Sequence, residues 1–314
     1  MAEFIRYGEH GGPEVLTLVE GPVPEASTGE VIVEVRAAGV NPVDWKIRSG
    51  SRGARDFSRP QGLGSDAAGV VAAVGDGVDG VQVGDEVVVR GAGAAYASHL
   101  VAKPEQLTPK PAALGFEEAA ALGIPAGTAY QVLRSLGLRR GETLLLHGGS
   151  GAVGQAAIQF ARGWGANVVA TASPANHDRL RQLGAVAVAY GPGLVDRLRE
   201  ASPEGYHVAL DSAGTDEAID ASLELVADRS RVATIVRMAD AASFGIRTWS
   251  SAIPSTMGPE ELRLRDEGVA EAVRLAADGR FDVEIAARYP LAEAAGAQRR
   301  SETGHVRGKI VLIP

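Results

Sequence analysis

No cysteine occurs anywhere in the 314 residues. That absence removes any disulfide framework and any thiolate-ligated zinc site. Long apolar runs are missing as well. No window approaches the roughly 18 uninterrupted apolar residues of a membrane span, and residues 1–7 lack the apolar stretch of a secretory signal. The expected location is therefore the cytoplasm, with no membrane partner. Lysine is scarce, confined to Lys46, Lys103, Lys110 and Lys309, and the formal net charge is −8. An acidic chain is poorly matched to nucleic acid or to an anionic bilayer, so a small-molecule partner is expected instead. The remaining composition is ordinary for a globular protein, at 45% hydrophobic and 22% charged residues. The length points to two domains, either of which can bury its own core.

The most informative segment is an apolar run over residues 143–146 that leads into Gly149-Ser150-Gly151-Ala152-Val153-Gly154, a G-x-G-x-x-G turn. Behind it Val153, Ala156, Ala157, Phe160 and Ala161 recur at helical spacing. A glycine motif that closes a strand and opens an amphipathic helix is a dinucleotide-binding signature. The first glycine permits the tight turn and the second lets backbone approach a pyrophosphate. The third allows close helix–strand packing, with the helix N-terminus towards the phosphates.

Around this segment the pattern is that of an α/β chain with two regions. Short strands are predicted over 30–40, 67–74 and 86–89, punctuated by Gly, Pro and Asp, which suits a compact, partly open barrel. From about residue 115 helical and apolar segments alternate. Strands are predicted over 143–147, 167–171, 185–189, 207–211 and 231–236, with helices over 151–164, 176–183, 195–201 and 216–227 between them. Such alternation implies a doubly wound parallel sheet. A helix over 260–278 and short strands over 283–287 and 308–312 complete the chain.

Several stretches together resemble the medium-chain dehydrogenase/reductase superfamily, in its zinc-free quinone oxidoreductase (zeta-crystallin-like) branch. They are Gly39-Val40-Asn41-Pro42-Val43-Asp44, Ile47-Arg48-Ser49-Gly50, Gly64-Ser65-Asp66-Ala67-Ala68-Gly69 and Val83-Gly84-Asp85-Glu86-Val87. Gly123-Ile124-Pro125, Thr128-Ala129-Tyr130, His147 to Gly154 and Gly304-His305-Val306-Arg307-Gly308-Lys309 follow in family order. The resemblance implies a GroES-like, partly open β-barrel catalytic domain over 1–122 and 280–314. It implies a Rossmann NADP(H)-binding domain over 123–279. Zinc-dependent relatives place Cys near Asn41 and a His-Glu pair near Ser65-Asp66; this chain has neither, so no metal site is expected.

NAD-preferring sheets carry an acidic residue about 20 residues past the glycine motif, on the ribose 2′-hydroxyl. Here the strand ends in Thr171-Ala172-Ser173, with His177, Arg179 and Arg181 in the next turns. A hydroxyl and cations favour a 2′-phosphate, so NADPH is the expected cofactor. Arg181 reads better as part of a solvated helix face. The resemblance adds cofactor contacts at Pro125, Thr128 and Tyr190, main-chain contacts at Asp211-Ser212-Ala213, and nicotinamide-side contacts at Ile235, Val236, Ser250 and Ser251. His147 borders the glycine turn as a partner for local backbone groups or, less simply, as an acid or base.

With no metal ligands, the expected reaction is hydride delivery to a conjugated acceptor, with protein donors facing the oxygen where charge develops. Asn41, in a loop at the domain cleft, is the first candidate donor. Relatives often have Tyr where this chain has Lys46, which puts tyrosine-dependent proton donation in doubt. Lys46 is open to three readings: a donor to oxyanion charge, a ligand of cofactor phosphates, or an exposed helix residue. Trp45 is placed in the acceptor pocket, with core packing as the alternative. The expected activity is a zinc-independent NADPH-dependent quinone oxidoreductase; an enoyl or 2-alkenal reductase and an NADPH-binding protein without turnover are the alternatives. A homodimer is expected, formed through an edge strand over residues 244–249.

Overall fold

β-branched residues at alternating positions make the N-terminal third a strand region. The structure, a computed structural model, describes residues 1–249 and 256–314. Strands β1 (Ala2–Tyr7), β2 (Thr17–Gly21) and β3 (Val31–Val40) precede helix α1 (Pro42–Arg48). Then come β4 (Gln61–Gly62), β5 (Asp66–Val74), β6 (Glu86–Arg90), β7 (His99–Ala102) and β8 (Leu107–Pro109), followed by α2 (Phe116–Ala120) and α3 (Gly123–Ser135). The middle of the chain alternates: β9 (Thr143–His147), α4 (Ala152–Gly163), β10 (Asn167–Ala172), α5 (His177–Gln182), β11 (Val186–Ala189), α6 (Leu194–Ala201), β12 (Val208–Asp211), α7 (Asp216–Leu225) and β13 (Val232–Thr234). Helices α8 (Ala241–Phe244) and α9 (Pro259–Ala277) lead to β14 (Ile285–Pro290), α10 (Ala294–Glu302) and β15 (Lys309–Ile313).

The chain divides into two compact units, Met1–Ile124 with Val269–Pro314, and Pro125–Gly268. In the first, a sheet runs β14-β15-β3-β5-β6-β8, with β7 also on β3, and a smaller sheet runs β2-β1-β4. The C-terminal strand β15 lies antiparallel to β3, Ile310 opposite Val40. The tail therefore completes the GroES-like sheet. Val33, Val35, Val71, Val87, Val89, Ile310 and Leu312 form its core.

In the second unit five parallel strands run β11-β10-β9-β12-β13, with the first strand central. This is the doubly wound Rossmann order. Helices cover both faces of such a sheet, which is why Leu144, Leu145 and Leu146 are all buried and the strand reads as a continuous apolar run. The edge strand expected over 244–249 does not form. Phe244 ends α8, Gly245 takes a left-handed conformation at φ +68°, and beyond it Arg247 makes only an isolated parallel bridge to Ala233. Among the described residues no helix is long and apolar enough to cross a membrane.

Candidate cofactor and acceptor sites

The glycine turn follows from the end of β9. Gly148 adopts φ +77°, and Gly149 donates its N–H to the Thr171 carbonyl of β10 at 2.9 Å. The three motif glycines have different reasons to be glycine. A Cβ on Gly149 would press on Ala170 Cβ at 2.9 Å, and one on Gly154 would collide with the Gly148 carbonyl oxygen. Both positions are fixed by packing of the helix on the strand. Gly151 is different: a Cβ there would meet nothing closer than the Gly148 carbonyl oxygen at 3.7 Å. Nothing inside the protein demands glycine at 151, whereas a pyrophosphate approaching the backbone would. The turn thus fits a dinucleotide, with Ser150, Ala152 and Val153 supplying the backbone between the glycines.

At the carboxyl end of β10, Ser173 is half-buried and its hydroxyl accepts a 3.2 Å hydrogen bond from the Asn176 side-chain amide. His177 lies 3.2 Å from the Ala172 carbonyl oxygen through Nε2, and Arg179 reaches Gln155 of α4 through Nε at 2.9 Å. No carboxylate occupies this strand end. Arg181 pairs with Asp178 on an exposed helix face, as the sequence suggested. Tyr190, beyond β11, is 57% exposed. Pro125 and Thr128 lie on α3, and Thr128 is buried.

The ends of β12 and β13 are tied together by Asp211. Its Oδ1 accepts the Ala213 and Gly214 N–H groups, and its Oδ2 accepts the Thr234 hydroxyl at 2.7 Å. Ile235 donates its N–H to the Asp211 carbonyl, and Val236 donates to the Thr234 hydroxyl. Ser212 donates to the His147 carbonyl. Asp211 is thus a turn-forming carboxylate with its acceptors used, at the strand edge where open α/β sheets gather ligands. His147 sets its Nδ1 against the Thr171 hydroxyl at 3.1 Å, and burial lowers its pKa to about 4. It is a neutral ring tying β9 to β10. The expected contacts Ser250 and Ser251 lie outside the described residues.

In the first unit α1 carries Asn41, Trp45 and Lys46. Asn41 differs from the expected donor. It precedes Pro42 at the helix N-cap, where its N–H donates to Asp44 Oδ2 at 2.8 Å, and it is only 1% exposed. Its Nδ2 donates to Asp66 at 2.9 Å and to the Gly39 carbonyl, while its Oδ1 accepts from the Lys309 ammonium. A cation on one side and a carboxylate on the other fix the amide's orientation. Both N–H groups are committed inside the protein, so Asn41 has none to offer an acceptor. Asp66 also accepts the Ile124 N–H at 2.9 Å and the Lys309 ammonium at 3.3 Å. Burial lowers the Lys309 pKa against the pull of Asp66 and Asp44.

Asp44 is fully buried beside this group, and desolvation lifts its carboxyl to about 7 despite hydrogen bonds from Asn41 N–H and the Tyr96 hydroxyl. Asp44, Asp66, Tyr96 and Lys309 were not singled out as site residues by sequence. Three of them lie inside motifs that carry the family resemblance, but nothing local shows that residues 66 and 309 meet. Lys46 is half-buried, with its ammonium 5.4 Å from the Trp45 ring centroid. Trp45 is itself half-buried, and its indole N–H is buried without a partner. Among the described residues no group of three His, Asp or Glu side chains is arranged to hold a metal.

Two family models match the chain: an alcohol dehydrogenase GroES-like domain over residues 27–133 and a zinc-binding dehydrogenase domain over residues 151–312. Quinone oxidoreductase 1 of Escherichia coli (strain K12) is 33% identical over the full length of both chains. The rat (Rattus norvegicus) quinone oxidoreductase is 37% identical over 72% of this chain and 67% of its own. The solved structure of the Escherichia coli quinone oxidoreductase complexed with NADPH superposes with a TM-score of 0.84 at 31% identity, covering 99% of this chain and 100% of that one. A mycobacterial protein complexed with NADPH superposes at 0.85, with the same identity and coverage. The chain belongs to the medium-chain dehydrogenase/reductase superfamily of oxidoreductases.

Proposed function

We propose that the protein is a zinc-independent NADPH-dependent quinone oxidoreductase. The observation that carries the cofactor half is the pairing of Gly151, which packing does not require, with a β10 end that presents Ser173, His177 and Arg179 and no carboxylate. Ser173 donates to a 2′-phosphate, Arg179 adds positive charge beside it, and the His177 ring borders the same strand end. Tyr190, Pro125 and Thr128 line the rest of the cofactor site. Thr171 sets the edge of the glycine turn through His147. Asp211, Ser212, Ala213, Ile235 and Val236 shape the backbone on the nicotinamide side. The names of the relatives in NADPH complexes support the same cofactor.

Bound NADPH supplies a hydride to a conjugated acceptor, which then holds negative charge on oxygen. Lys46 donates to that oxygen, and Trp45 gives the acceptor a flat apolar wall. Asn41 acts indirectly: with Asp66 and Lys309 it fixes the start of α1 and so the bearing of Trp45 and Lys46. The positions where zinc relatives hold ligands are taken here by Asn41, already bound to Lys309 and Asp66, and by Ser65, whose hydroxyl faces Asp44 at 3.5 Å. Neither is a thiolate or an imidazole, which supports a reaction without a Lewis acid. The protein works as a homodimer in the cytoplasm.

The direct test is oxidation of NADPH and NADH against an ortho-quinone, a para-quinone, a 2-alkenal and a cyclic enone. Turnover of the quinones with NADPH is the expected result. Turnover confined to the alkenal or the enone would replace quinone reduction by carbon–carbon double-bond reduction. Retention of NADPH with no turnover of any acceptor would leave only a binding role.

A further inference from the structure

The buried group at the start of α1 does not balance in charge. It holds two carboxylates, Asp44 and Asp66, against one ammonium, Lys309, and all three side chains are buried. Lys309 is spent on Asp66: its ammonium lies 3.3 Å from Asp66 Oδ2 and also donates to the Asn41 side-chain oxygen. The same Asp66 oxygen accepts the Asn41 amide and the Ile124 N–H, both at 2.9 Å. Asp66 is thus an anion held by three donors. Asp44 has only neutral partners. Its Oδ2 accepts the Asn41 N–H and the Tyr96 hydroxyl, both at 2.8 Å. A second anion here would stand uncompensated beside the first, which a dry interior penalises heavily. One of the two carboxyls therefore holds a proton, and Asp44 is the one without a cation. Desolvation raises its pKa to about 7; the charged groups that act on it from the surrounding strands are Asp66 on β5 and Lys309 on β15.

Hydrogen bonding decides which oxygen carries that proton. Both donors take Oδ2, so the neutral carboxyl has its O–H on Oδ1. What faces Oδ1 is the Ser65 hydroxyl, at 3.5 Å. Catalytic hydrogen bonds of this length tighten once substrate is bound. Asn41 and Tyr96 are buried, whereas Ser65 is half-buried, so its hydroxyl is the way out of the cluster from Asp44. A hydroxyl can accept the carboxyl proton while it donates its own. Asp44 also directly precedes Trp45 and Lys46 on α1, the two residues assigned to the acceptor above.

We infer that Asp44 is the proton source of the reduction and that Ser65 passes the proton on, giving its own to the reduced acceptor as it takes the one from Asp44. The inference rests on the proposed reductase reading and names where its proton comes from. A quinone, one hydride and one proton make the hydroquinone; NADPH leaves as NADP+, and Asp44 is left as a carboxylate. It regains its proton from solvent through the same hydroxyl when the product departs. A phenolate is a stronger base than a carboxylate, so the transfer runs towards product. Lys46 keeps its hydrogen-bonding part, holding the charge on oxygen without giving up a proton.

The test is the pH dependence of kcat with a para-quinone and saturating NADPH, for wild type, Ser65→Ala, Ser65→Thr and Asp44→Asn. Wild-type kcat should fall as the pH rises through about 7, where the Asp44 proton is lost. Ser65→Ala should lower kcat by about 100-fold with little change in KM, and should remove that fall. Ser65→Thr restores the hydroxyl and should recover both. Asp44→Asn keeps an oxygen for Asn41 and Tyr96 but has no acidic proton, so its kcat should drop like that of Ser65→Ala. If Asp44→Asn does not fold, the two Ser65 variants decide alone. Wild-type kcat and pH profile in Ser65→Ala overturn the inference. So does a fall with pH that survives in Ser65→Ala and disappears in Lys46→Gln, which would give the proton to Lys46. If no quinone is reduced, the reductase reading fails separately, and infrared difference spectra at about pH 6 still locate the proton. A protonated-carboxyl band should then be present in wild type, missing from Asp44→Asn and shifted in Ser65→Ala. Absence of the band, or a band indifferent to Ser65→Ala, would overturn the assignment.

Discussion

In the proposed reading, Ser173 is the residue on which cofactor choice turns. Its hydroxyl stands at the end of β10, where a carboxylate would instead bind a ribose 2′-hydroxyl and repel a 2′-phosphate. Ser173→Asp should therefore shift the ratio of NADPH to NADH kcat/KM towards NADH by tenfold or more, about 1.4 kcal/mol. An unchanged ratio would remove Ser173 from the phosphate site. His147 makes a pH-dependent contribution of known sign. Burial holds it neutral with a pKa of about 4, whereas in the unfolded chain the ring titrates near about 6.5. Between those values the unfolded chain takes up the extra proton, so stability falls as the pH drops from about 6.5 to 4, by up to about 3 kcal/mol. His147→Asn should flatten that part of the stability–pH curve. Parallel curves for the two proteins would show that His147 titrates alike in the folded and unfolded chain.

At the scale of single elements, the β9 turn separates packing from binding. Gly154→Ala drives a methyl into the Gly148 carbonyl and should lower the unfolding free energy in chemical denaturation by about 1–3 kcal/mol. Gly151→Ala meets no atom closer than 3.7 Å, so its melting should change little while the NADPH Kd rises at least tenfold. Equal NADPH affinity in Gly151→Ala would mean that the pyrophosphate does not approach this backbone. The strands and helices of the Rossmann unit were legible because each buried strand is a short apolar run and each helix keeps its own period. The edge over 244–249 was misread because its apolar and aromatic residues look like a strand, while Gly245 stops α8 and leaves pairing only at Arg247. The glycine turn between β9 and α4 was legible from a local motif. The buried group of Asn41, Asp44, Asp66, Tyr96 and Lys309 was not, since it is assembled from β5, α1, β15 and the loop before β7. Sequence spacing carries no sign of those meetings.

Across the whole first unit, Lys309 on the last strand answers Asp66 on β5 and Asn41 at the start of α1. Lys309→Met leaves the Asp66 carboxylate buried and uncompensated and should destabilise the protein by about 3–5 kcal/mol in chemical denaturation. Asp66→Asn combined with Lys309→Met removes both charges and should recover part of that loss. A double variant no more stable than the single would show that the ion pair is not what couples the tail to the barrel. The central claim for the molecule is that it reduces a conjugated acceptor with NADPH and without a metal. The measurement that reaches it most directly is the steady-state rate of quinone-dependent NADPH oxidation before and after exhaustive dialysis against a strong zinc chelator. The account predicts the same rate in both preparations and no stimulation by added zinc. Loss of turnover on chelation, restored by zinc, would contradict it.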